Sequence, residues 1–302
     1  MTDLTETETY EFTGQKPPGR PARSPVRYSF AAMSHPGKVR ANNEDHYLVS
    51  RMGRTFGLIS TNMPEGDLPD HLDEVAYGMV VADGMGGMAA GEKASWLAIR
   101  TGVQLVLNSP VWASNFDDPA SNQLISRMRD YFRQVDSVVI GEARSDRHLS
   151  GMGTTLTLAY IVGTDAFVIH VGDSRAYLFR DGKLEQLTRD HTMAQGLAEM
   201  GAIKPEDVHR HAKRHVLTNF VGGPSTGVEP EIATLQLRQG DILLVCSDGL
   251  TEMVKDADIA RILGTSQDLD LAAKALIDLA LQNGGRDNVT VTLGRCEAGQ
   301  PS

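Results

Sequence analysis

The sequence has 302 residues, and its 29 Lys and Arg against 39 Asp and Glu give a formal net charge of −10 at pH 7. Hydrophobic residues make up 41% and charged residues 23%, which is typical of a globular protein and excludes wholesale disorder. The acidic balance argues against general nucleic-acid binding and against binding to anionic membranes, because both require clustered Lys and Arg. Two cysteines are too few for a disulfide framework, and no stretch reaches the roughly 18–20 apolar residues of a spanning helix. We therefore expect a cytoplasmic protein without membrane insertion.

The first 27 residues differ in composition from the rest of the chain. Residues 1–15 are polar and acidic, whereas residues 16–27 interleave Lys and Arg with proline. So few apolar groups cannot offset the entropy lost on ordering, which predicts a flexible N-terminal extension over 1–27. A basic docking peptide is an alternative for this arm. We expect one domain over 28–296 and a short C-terminal tail over 297–302.

Runs rich in β-branched and aromatic residues predict strands along most of this domain. The predicted strands are 77–82, 154–162, 166–171, 175–180, 183–188, 231–237, 242–246 and 289–293. Asp181 and Gly182 separate two of these runs, and this dipeptide is typical of a tight turn between antiparallel strands.

Apolar residues at helical spacing predict three helices, over 90–109, 120–144 and 269–283. The helices are clustered and do not alternate with the strands, which favours an α+β sandwich over a doubly wound parallel sheet. Residues 51–75 and 189–230 have no sustained period, and we interpret them as long excursions of the kind that form lids or binding loops.

Acidic residues recur at the ends of the most apolar strands. They are Glu44, Asp45, Asp83, Asp173, Asp248 and Asp287. Any one of them is compatible with an ordinary turn, but together they place several costly charges beside buried strands. A hard divalent cation bound by oxygen atoms would neutralise them, and the absence of a Cys/His cluster favours Mg²⁺ or Mn²⁺ over Zn²⁺. Such an ion lowers the pKa of a bound water.

Six motifs, in order along the chain, resemble those of the metal-dependent protein phosphatases of the PPM family (type 2C). They are Arg40-Ala-Asn-Asn-Glu44-Asp45, Val81-Ala-Asp83-Gly84-Met-Gly-Gly87, Gly151-Met-Gly153-Thr154-Thr155, Gly172-Asp173-Ser174-Arg175, Ser247-Asp248-Gly249-Leu250 and Gly285-Arg-Asp287-Asn288-Val289-Thr290.

The resemblance implies two central antiparallel sheets packed as a sandwich and flanked by helices, with two Mn²⁺ or Mg²⁺ ions at one end. It implies that Asp83 bridges both ions and that Asp248 and Asp287 complete the first. The carbonyl of Gly84, with waters held by Glu44 and Asp45, would serve the second. Asp173 would join Asp248 at a third, weaker ion, and Arg40 would bind the substrate phosphate.

The implied reaction is single-step hydrolysis of phosphoserine and phosphothreonine on proteins, by a metal-activated water that attacks phosphorus. The enzyme would be a monomer that acts on the targets of Ser/Thr protein kinases. No cysteine nucleophile is required, and we interpret Cys246 as a small buried strand residue.

Several residues depart from the family pattern or carry a second interpretation. Met85 occupies a position where many eukaryotic members have His, and its thioether cannot protonate a leaving group. Glu252 replaces the usual Asp four residues after Asp248, which puts outer metal coordination in doubt. His35 is interpreted as a loop residue near Arg40.

The excursion over 189–230 corresponds to the mobile flap of the family, and we call it the flap segment. Its four histidines are interpreted as solvated residues, because their spacing places no obvious set on one helix face.

Two alternatives to this function stay open. A phosphatase of small phosphoesters, or one dedicated to an anti-σ-type regulator, would use the same chemistry. A catalytically silent scaffold would keep the fold without metal binding.

Overall fold

A computed structural model of the protein describes residues 26–64, 66–86, 89–109, 119–223 and 227–297. The predicted N-terminal extension lies outside these residues apart from Val26 and Arg27, and the predicted tail apart from Glu297. Arg27 and Glu297 pair with each other at the ends of the first and last strands. The character of the two terminal segments therefore stays a prediction.

The strands in this part of the chain are β1 (Arg27–His35), β2 (Asp45–Gly57), β3 (His71–Met85), β4 (Gly153–Thr154), β5 (Leu156–Val162), β6 (Asp165–Val171), β7 (Arg175–Arg180), β8 (Lys183–Gln186), β9 (Glu231–Gln236), β10 (Ile242–Cys246) and β11 (Val289–Glu297). The helices are α1 (Ala89–Leu107), α2 (Pro119–Ser145), α3 (Met193–Glu199), α4 (Asp248–Thr251), α5 (Asp256–Thr265) and α6 (Leu269–Gln282). Short 3-10 turns cover Arg147–Leu149 and Pro205–Arg210.

The strands form two sheets in which the paired strands run antiparallel. One sheet has the order β1-β11-β10-β7-β8, and the other has β2-β3-β5-β6-β9 with β4 attached to β3. The predicted turn joins β7 to β8, and both Asp181 (φ 50°) and Gly182 (φ 76°) adopt the positive φ that a primed hairpin turn requires. The predicted α+β sandwich is confirmed.

The two sheets pack face to face, with helices on both outer faces. In β3, Met79 and Val81 belong to the apolar layer between the sheets, whereas Ala82 belongs to the layer beneath α1 and α2. This follows from the two-residue period of a strand, which sends alternate side chains to opposite faces. Helices α4, α5 and α6 cover the other sheet in the same way. Cys246 is fully buried in that layer, as predicted.

The three predicted helices correspond to α1, α2 and α6. Helix α6 begins after Asp268, whose side chain accepts the N–H groups of Asp270 and Leu271 as an N-cap. None of the helices in the described part of the chain combines the length and the apolar character needed to cross a membrane.

The prediction of a long excursion over 51–75 is wrong at both ends. Strand β2 continues to Gly57 and β3 begins at His71, and the two pair without a break up to Gly57 opposite His71. The connecting loop covers only residues 58–70. The outer part of this hairpin is largely exposed, so its side chains need no apolar alternation, and the backbone ladder alone defines it.

Leu243 tests the layer between the sheets. Its side chain is 1% exposed, whereas Leu271 on α6 is 65% exposed. We expect Leu243→Ala to lower the free energy of unfolding by about 2–5 kcal/mol, because it leaves a cavity in the core. The matched change Leu271→Ala should alter it by less than about 0.5 kcal/mol. Urea unfolding followed by circular dichroism measures both, and equal effects of the two changes would contradict this packing.

Candidate metal centre

The predicted acidic residues come from strand ends that meet at one end of the sandwich. Asp45 and Asp83 are directly opposite each other in the β2–β3 ladder. Asp173 follows β6, and Asp248 begins α4 directly after β10. Asp287 precedes β11, whose first residues pair with the last residues of β1 and β10. The sheet register therefore gathers carboxylates that are far apart in the sequence.

These carboxylates are close enough to repel one another strongly. Burial first, and then the charges of Asp45, Asp248, Asp173 and Asp287, raise the pKa of Asp83 well above its ordinary value. Burial followed by the charges of the neighbouring acids does the same to the pKa of Asp248. Burial and the charge of Asp190 raise the pKa of Asp173 to about 7. Such a cluster is destabilised in its charged form unless a cation is present.

Asp45 shows which donors the protein itself supplies. Its Oδ2 atom accepts hydrogen bonds from Ser247 Oγ and Thr290 Oγ1, both at 2.7 Å. Its Oδ1 atom is buried and has no hydrogen-bond partner in the described part of the chain. Burial raises the pKa of Asp45 to about 6, although the two hydroxyl groups oppose that shift. An unpartnered buried oxygen beside other carboxylates fits a site for a hard cation.

The backbone around Asp83 is held so that its carboxylate stays available. Its N–H donates to Thr155 Oγ1 and its carbonyl accepts from the N–H of Thr155, both at 2.9 Å. At Gly84, a Cβ atom would lie 2.1 Å from the carbonyl oxygen of Gly91 in α1. Only glycine fits this approach of the strand to the helix, which accounts for the residue after Asp83.

Asp287 has a cationic partner. Arg40 Nη2 donates to Asp287 Oδ2 at 2.5 Å, and the N–H of Asn288 donates to Asp287 Oδ1 at 2.8 Å. The hydrogen bond with Asp287, and then the charges of Asp287, Glu44 and Asp83, raise the pKa of Arg40. The predicted phosphate-binding residue therefore lies at the acidic cluster, and it partly compensates the cluster's charge.

Asn288 joins the segments that carry the other predicted residues. Its Oδ1 accepts the N–H of Glu44 at 2.7 Å, and its Nδ2 donates to the carbonyl groups of Pro36 and Asn42, each at 2.9 Å. Burial raises the pKa of Glu44. The structure thus brings all eight predicted site residues to one end of the sandwich.

Sequence reasoning did not single out the residues that hold these acids. They are Ser247, Thr290, Thr155 and Asn288. Each lies inside one of the six motifs, and Ser247, Asn288 and Thr290 are within three residues of a predicted ligand, so that proximity was the available signal; Thr155 is far from every predicted ligand in the sequence.

His191, predicted to be a solvated residue of the flap segment, is instead 8% exposed. Its ring stacks on His170 with 4.9 Å between ring centroids, and its Nδ1 accepts the N–H of Gly172 at 3.2 Å. Burial lowers the pKa of His191, which keeps the imidazole neutral and able to accept that bond. The prediction failed because the spacing of the histidines in the sequence does not show which of them is buried and neutral.

His215, the last of these histidines, is 44% exposed, and its Nδ1 lies 3.2 Å from Glu252 Oε1. His35 is the last residue of β1, and its Nδ1 accepts the N–H of Gly37 at 2.9 Å. His35 therefore stabilises the turn that leads to Arg40.

A sequence model of the protein phosphatase 2C family matches residues 59–276. The chain belongs to this family. It is 36% identical to the serine/threonine protein phosphatase PstP of Mycobacterium tuberculosis over 273 residues, which cover 90% of this chain and 46% of PstP. It is 35% identical to the serine/threonine phosphatase stp of Listeria monocytogenes over 215 residues, which cover 71% of this chain and 82% of that protein. The chain thus spans about half the length of PstP.

Solved structures of the family share the fold. The crystal structure of PstP superimposes with a TM-score of 0.72 at 35% identity, covering 90% of this chain and 100% of that chain. A second structure, of the PstP catalytic domain in complex with two manganese ions, gives a TM-score of 0.69 at 34% identity and covers 90% of this chain and 99% of that one. The fold that the six motifs implied is therefore that of the protein phosphatase 2C family.

Gly249 tests the contact between the two strand ends that carry Asp248 and Asp287. A Cβ atom at Gly249 would lie 1.9 Å from the carbonyl oxygen of Asn288, so Gly249→Ala must displace backbone. We expect it to lower the free energy of unfolding by about 2 kcal/mol or more. Gly141→Ala, in α2 with open space around it, should instead be neutral or stabilising by up to about 1 kcal/mol. Thermal unfolding of both variants checks this, and a neutral Gly249→Ala would contradict the close approach.

Asp173→Asn tests the repulsion among the acids in metal-free protein. The pKa of Asp173 is raised to about 7 in the folded protein. Its contribution to the free energy of unfolding is therefore fully favourable at pH values below its pKa in the unfolded chain, and this contribution is lost as pH rises through about 7. The neutral variant escapes this loss. We therefore expect Asp173→Asn to be more stable than wild type in EDTA, by a margin that grows from pH 5 to pH 8. Melting temperatures across this range measure the margin, and one that shrank with pH would show the opposite sign.

Proposed function

We propose that this protein is a metal-dependent phosphatase that hydrolyses phosphoserine and phosphothreonine on other proteins. The observation that carries the proposal is the meeting of Asp45, Asp83, Asp173, Asp248 and Asp287 at one end of the sandwich, in a chain of the protein phosphatase 2C family. A silent scaffold has no need for a cluster whose charges raise one another's pKa.

The donor set fits two divalent cations. Asp83, Asp248 and Asp287 would hold them, with the Gly84 carbonyl, Asp45 Oδ1 and Glu44 as further oxygen donors. The manganese ions in the PstP structure support Mn²⁺, and oxygen donors also accept Mg²⁺. When bound, the ions supply positive charge beside the phosphate oxygens and lower the pKa of a bound water.

Arg40 would bind the phosphate of the substrate. Within the described residues Asp287 engages Nη2 of this guanidinium, which leaves the other donors of the fork for a phosphate oxygen. Its side chain is 57% exposed, which leaves it accessible to a phosphorylated segment of another protein. The pair with Asp287 would orient the fork before the substrate binds.

The proposal also covers the location of the enzyme, the source of its substrates and its oligomeric state. We place it in the cytoplasm, because its two cysteines are free and buried, as in proteins of reducing compartments. Its substrates would be targets of Ser/Thr protein kinases, because its relatives are named serine/threonine phosphatases and such kinases form the phosphoesters that these enzymes would remove. A monomeric state remains a prediction from sequence, and so does the weakly held third ion.

Release of inorganic phosphate from a phosphothreonine peptide tests the function. We expect turnover with Mn²⁺ that EDTA abolishes, and a fall of about 100-fold or more in Asp83→Asn, because the variant loses a carboxylate from the cation site. The matched control is Asp73→Asn, an exposed position on the same strand that should retain full activity. Absence of turnover with either ion, or undiminished turnover in Asp83→Asn, would refute the proposal.

Phosphorylated metabolites, assayed beside the peptide, separate this function from the alternative of a small-molecule phosphatase. A kcat/KM at least about tenfold higher for the phosphopeptide is expected. The reverse order would favour small phosphoesters as substrates.

A further inference from the structure

A cavity of about 270 Å³ lies between the helices α1 and α2 and the sheet that contains β2, β3 and β5. Apolar side chains of both layers line it, such as Val80 and Leu158 from the strands and Ile99 and Val106 from α1. Protein interiors contain few voids larger than a water molecule, and an apolar cavity of about 150 Å³ is large enough to bind benzene. This cavity therefore has room for a molecule of one or two rings.

Two glycines leave space in the layers on either side of the cavity. Ser50, Gly78 and Tyr160 lie opposite one another on β2, β3 and β5, and a Cβ atom at Gly78 would lie only 3.0 Å from Ser50 Oγ. In α1, Gly102 lines the cavity, and a Cβ atom there would meet nothing within 4 Å. The helix and the sheet therefore approach each other here without side chains that fill the gap.

Tyr160 brings a polar group to this apolar space. Its side chain lines the cavity and is only 6% exposed, and no hydrogen bond joins its hydroxyl group to another described residue. Burial raises the pKa of Tyr160 to about 12, so the hydroxyl keeps its proton and can donate it to an acceptor. Buried polar groups normally have a hydrogen-bond partner, and a ligand with an acceptor atom would supply the missing one.

The residues around the cavity favour a ligand without charge. Arg51 is the only charged residue among the described residues that line it. Side chains alternate along a strand, so Arg51 is directed to the face of β2 opposite to that of Ser50. Its Nη1 atom lies on the side of Gly53, 3.9 Å from the position of a Cβ atom there. An ion in the cavity would lose its hydration without gaining an opposite charge.

We propose that this cavity is a binding site for an uncharged molecule of one or two rings that accepts a hydrogen bond from Tyr160, such as an aromatic ketone. Leu107, at the end of α1, lines the cavity and is 70% exposed, so a ligand can enter from that side. Gly78 lies five residues before Asp83 on β3, which is about 17 Å along the strand. The site is therefore separate from the metal centre, and the inference does not depend on the proposed function.

Equilibrium dialysis of the full chain with two matched probes tests this site. The probes are acetylnaphthalene, a two-ring ketone, and ethylnaphthalene, which lacks the carbonyl oxygen. We expect saturable binding of one ketone per chain, equal in Mn²⁺ and in EDTA. Tyr160→Phe should weaken binding of the ketone about fivefold and leave binding of the hydrocarbon unchanged, because it removes one hydrogen bond.

A variant that fills the cavity locates the bound probe. Gly102→Leu places a side chain in the open space, so it should weaken binding of both probes at least about tenfold. Its melting temperature should not fall, because leucine favours a helix more than glycine does. The matched control is Gly141→Leu, the same change in α2 with open space around it and outside the cavity, which should bind both probes as wild type does.

Several results would overturn the proposal. They are the absence of ketone binding by wild type, unchanged binding in folded Gly102→Leu, and equal affinities of wild type and Tyr160→Phe for the ketone. A dimer in sedimentation equilibrium that Gly102→Leu dissociates and Gly141→Leu does not would also overturn it, because a second copy would then occupy the cavity. Ketone binding by a chain without phosphatase activity would support this site and refute the proposed function alone.

Discussion

Repulsion between carboxylates held at one end of two sheets is the constraint on which the rest of this structure depends. Asp45 and Asp83 are neighbours in one sheet, and Asp248 and Asp287 adjoin strands of the other. Asp45 and Asp83 cannot separate without breaking the β2–β3 ladder, and Asp248 and Asp287 each lie two residues from a strand that carries the core. The backbone frame therefore imposes a concentration of negative charge, and a bound cation is the economical way to compensate it.

The compensation that the chain itself provides is incomplete and unevenly distributed. Arg40 neutralises part of the charge of Asp287, and two hydroxyl groups serve one oxygen of Asp45. Asp83 and Asp248 keep strongly raised pKa values because burial and like charges act on both of them. Asp83 and Asp248, where the two sheets meet, are thus the carboxylates whose charge the chain compensates least. This is where resemblance to the phosphatase family placed the bridging ligand.

Sequence patterns predicted the parts of the fold that local chemistry determines. Core strand β10 is an uninterrupted apolar run, and the turn at Asp181 requires a residue that tolerates positive φ. The outer half of the β2–β3 hairpin was missed because its side chains are exposed and only backbone bonds define it. Strand β1 was missed because its side chains are mostly half-buried, without the clear alternation of a one-sided strand.

The candidate site likewise contains residues that the local sequence predicts and residues that it does not. Every predicted ligand lies at a strand end, where an acidic residue next to an apolar run can be recognised from sequence alone. The hydroxyl and amide groups that orient those ligands, such as Ser247 and Asn288, depend on which strands become neighbours, and that is a property of the sheet order. The roles of His191 and His215 depend on how the flap segment folds back, which no local period encodes.

The flap segment contacts the acidic cluster in two places that differ in kind. At its base, Arg175 forms a two-point ion pair with Asp190 at 2.7 and 2.8 Å, and His191 holds the Gly172 backbone next to Asp173. The carbonyl of His191 also accepts the N–H of Thr218 at 2.8 Å, and this bond closes a loop over residues 192–217. At its other contact, His215 meets a carboxylate that is 31% exposed, where the strength of attachment depends on the charge present. A pair this exposed is weakened by solvent, so the flap is held mainly at its more buried base.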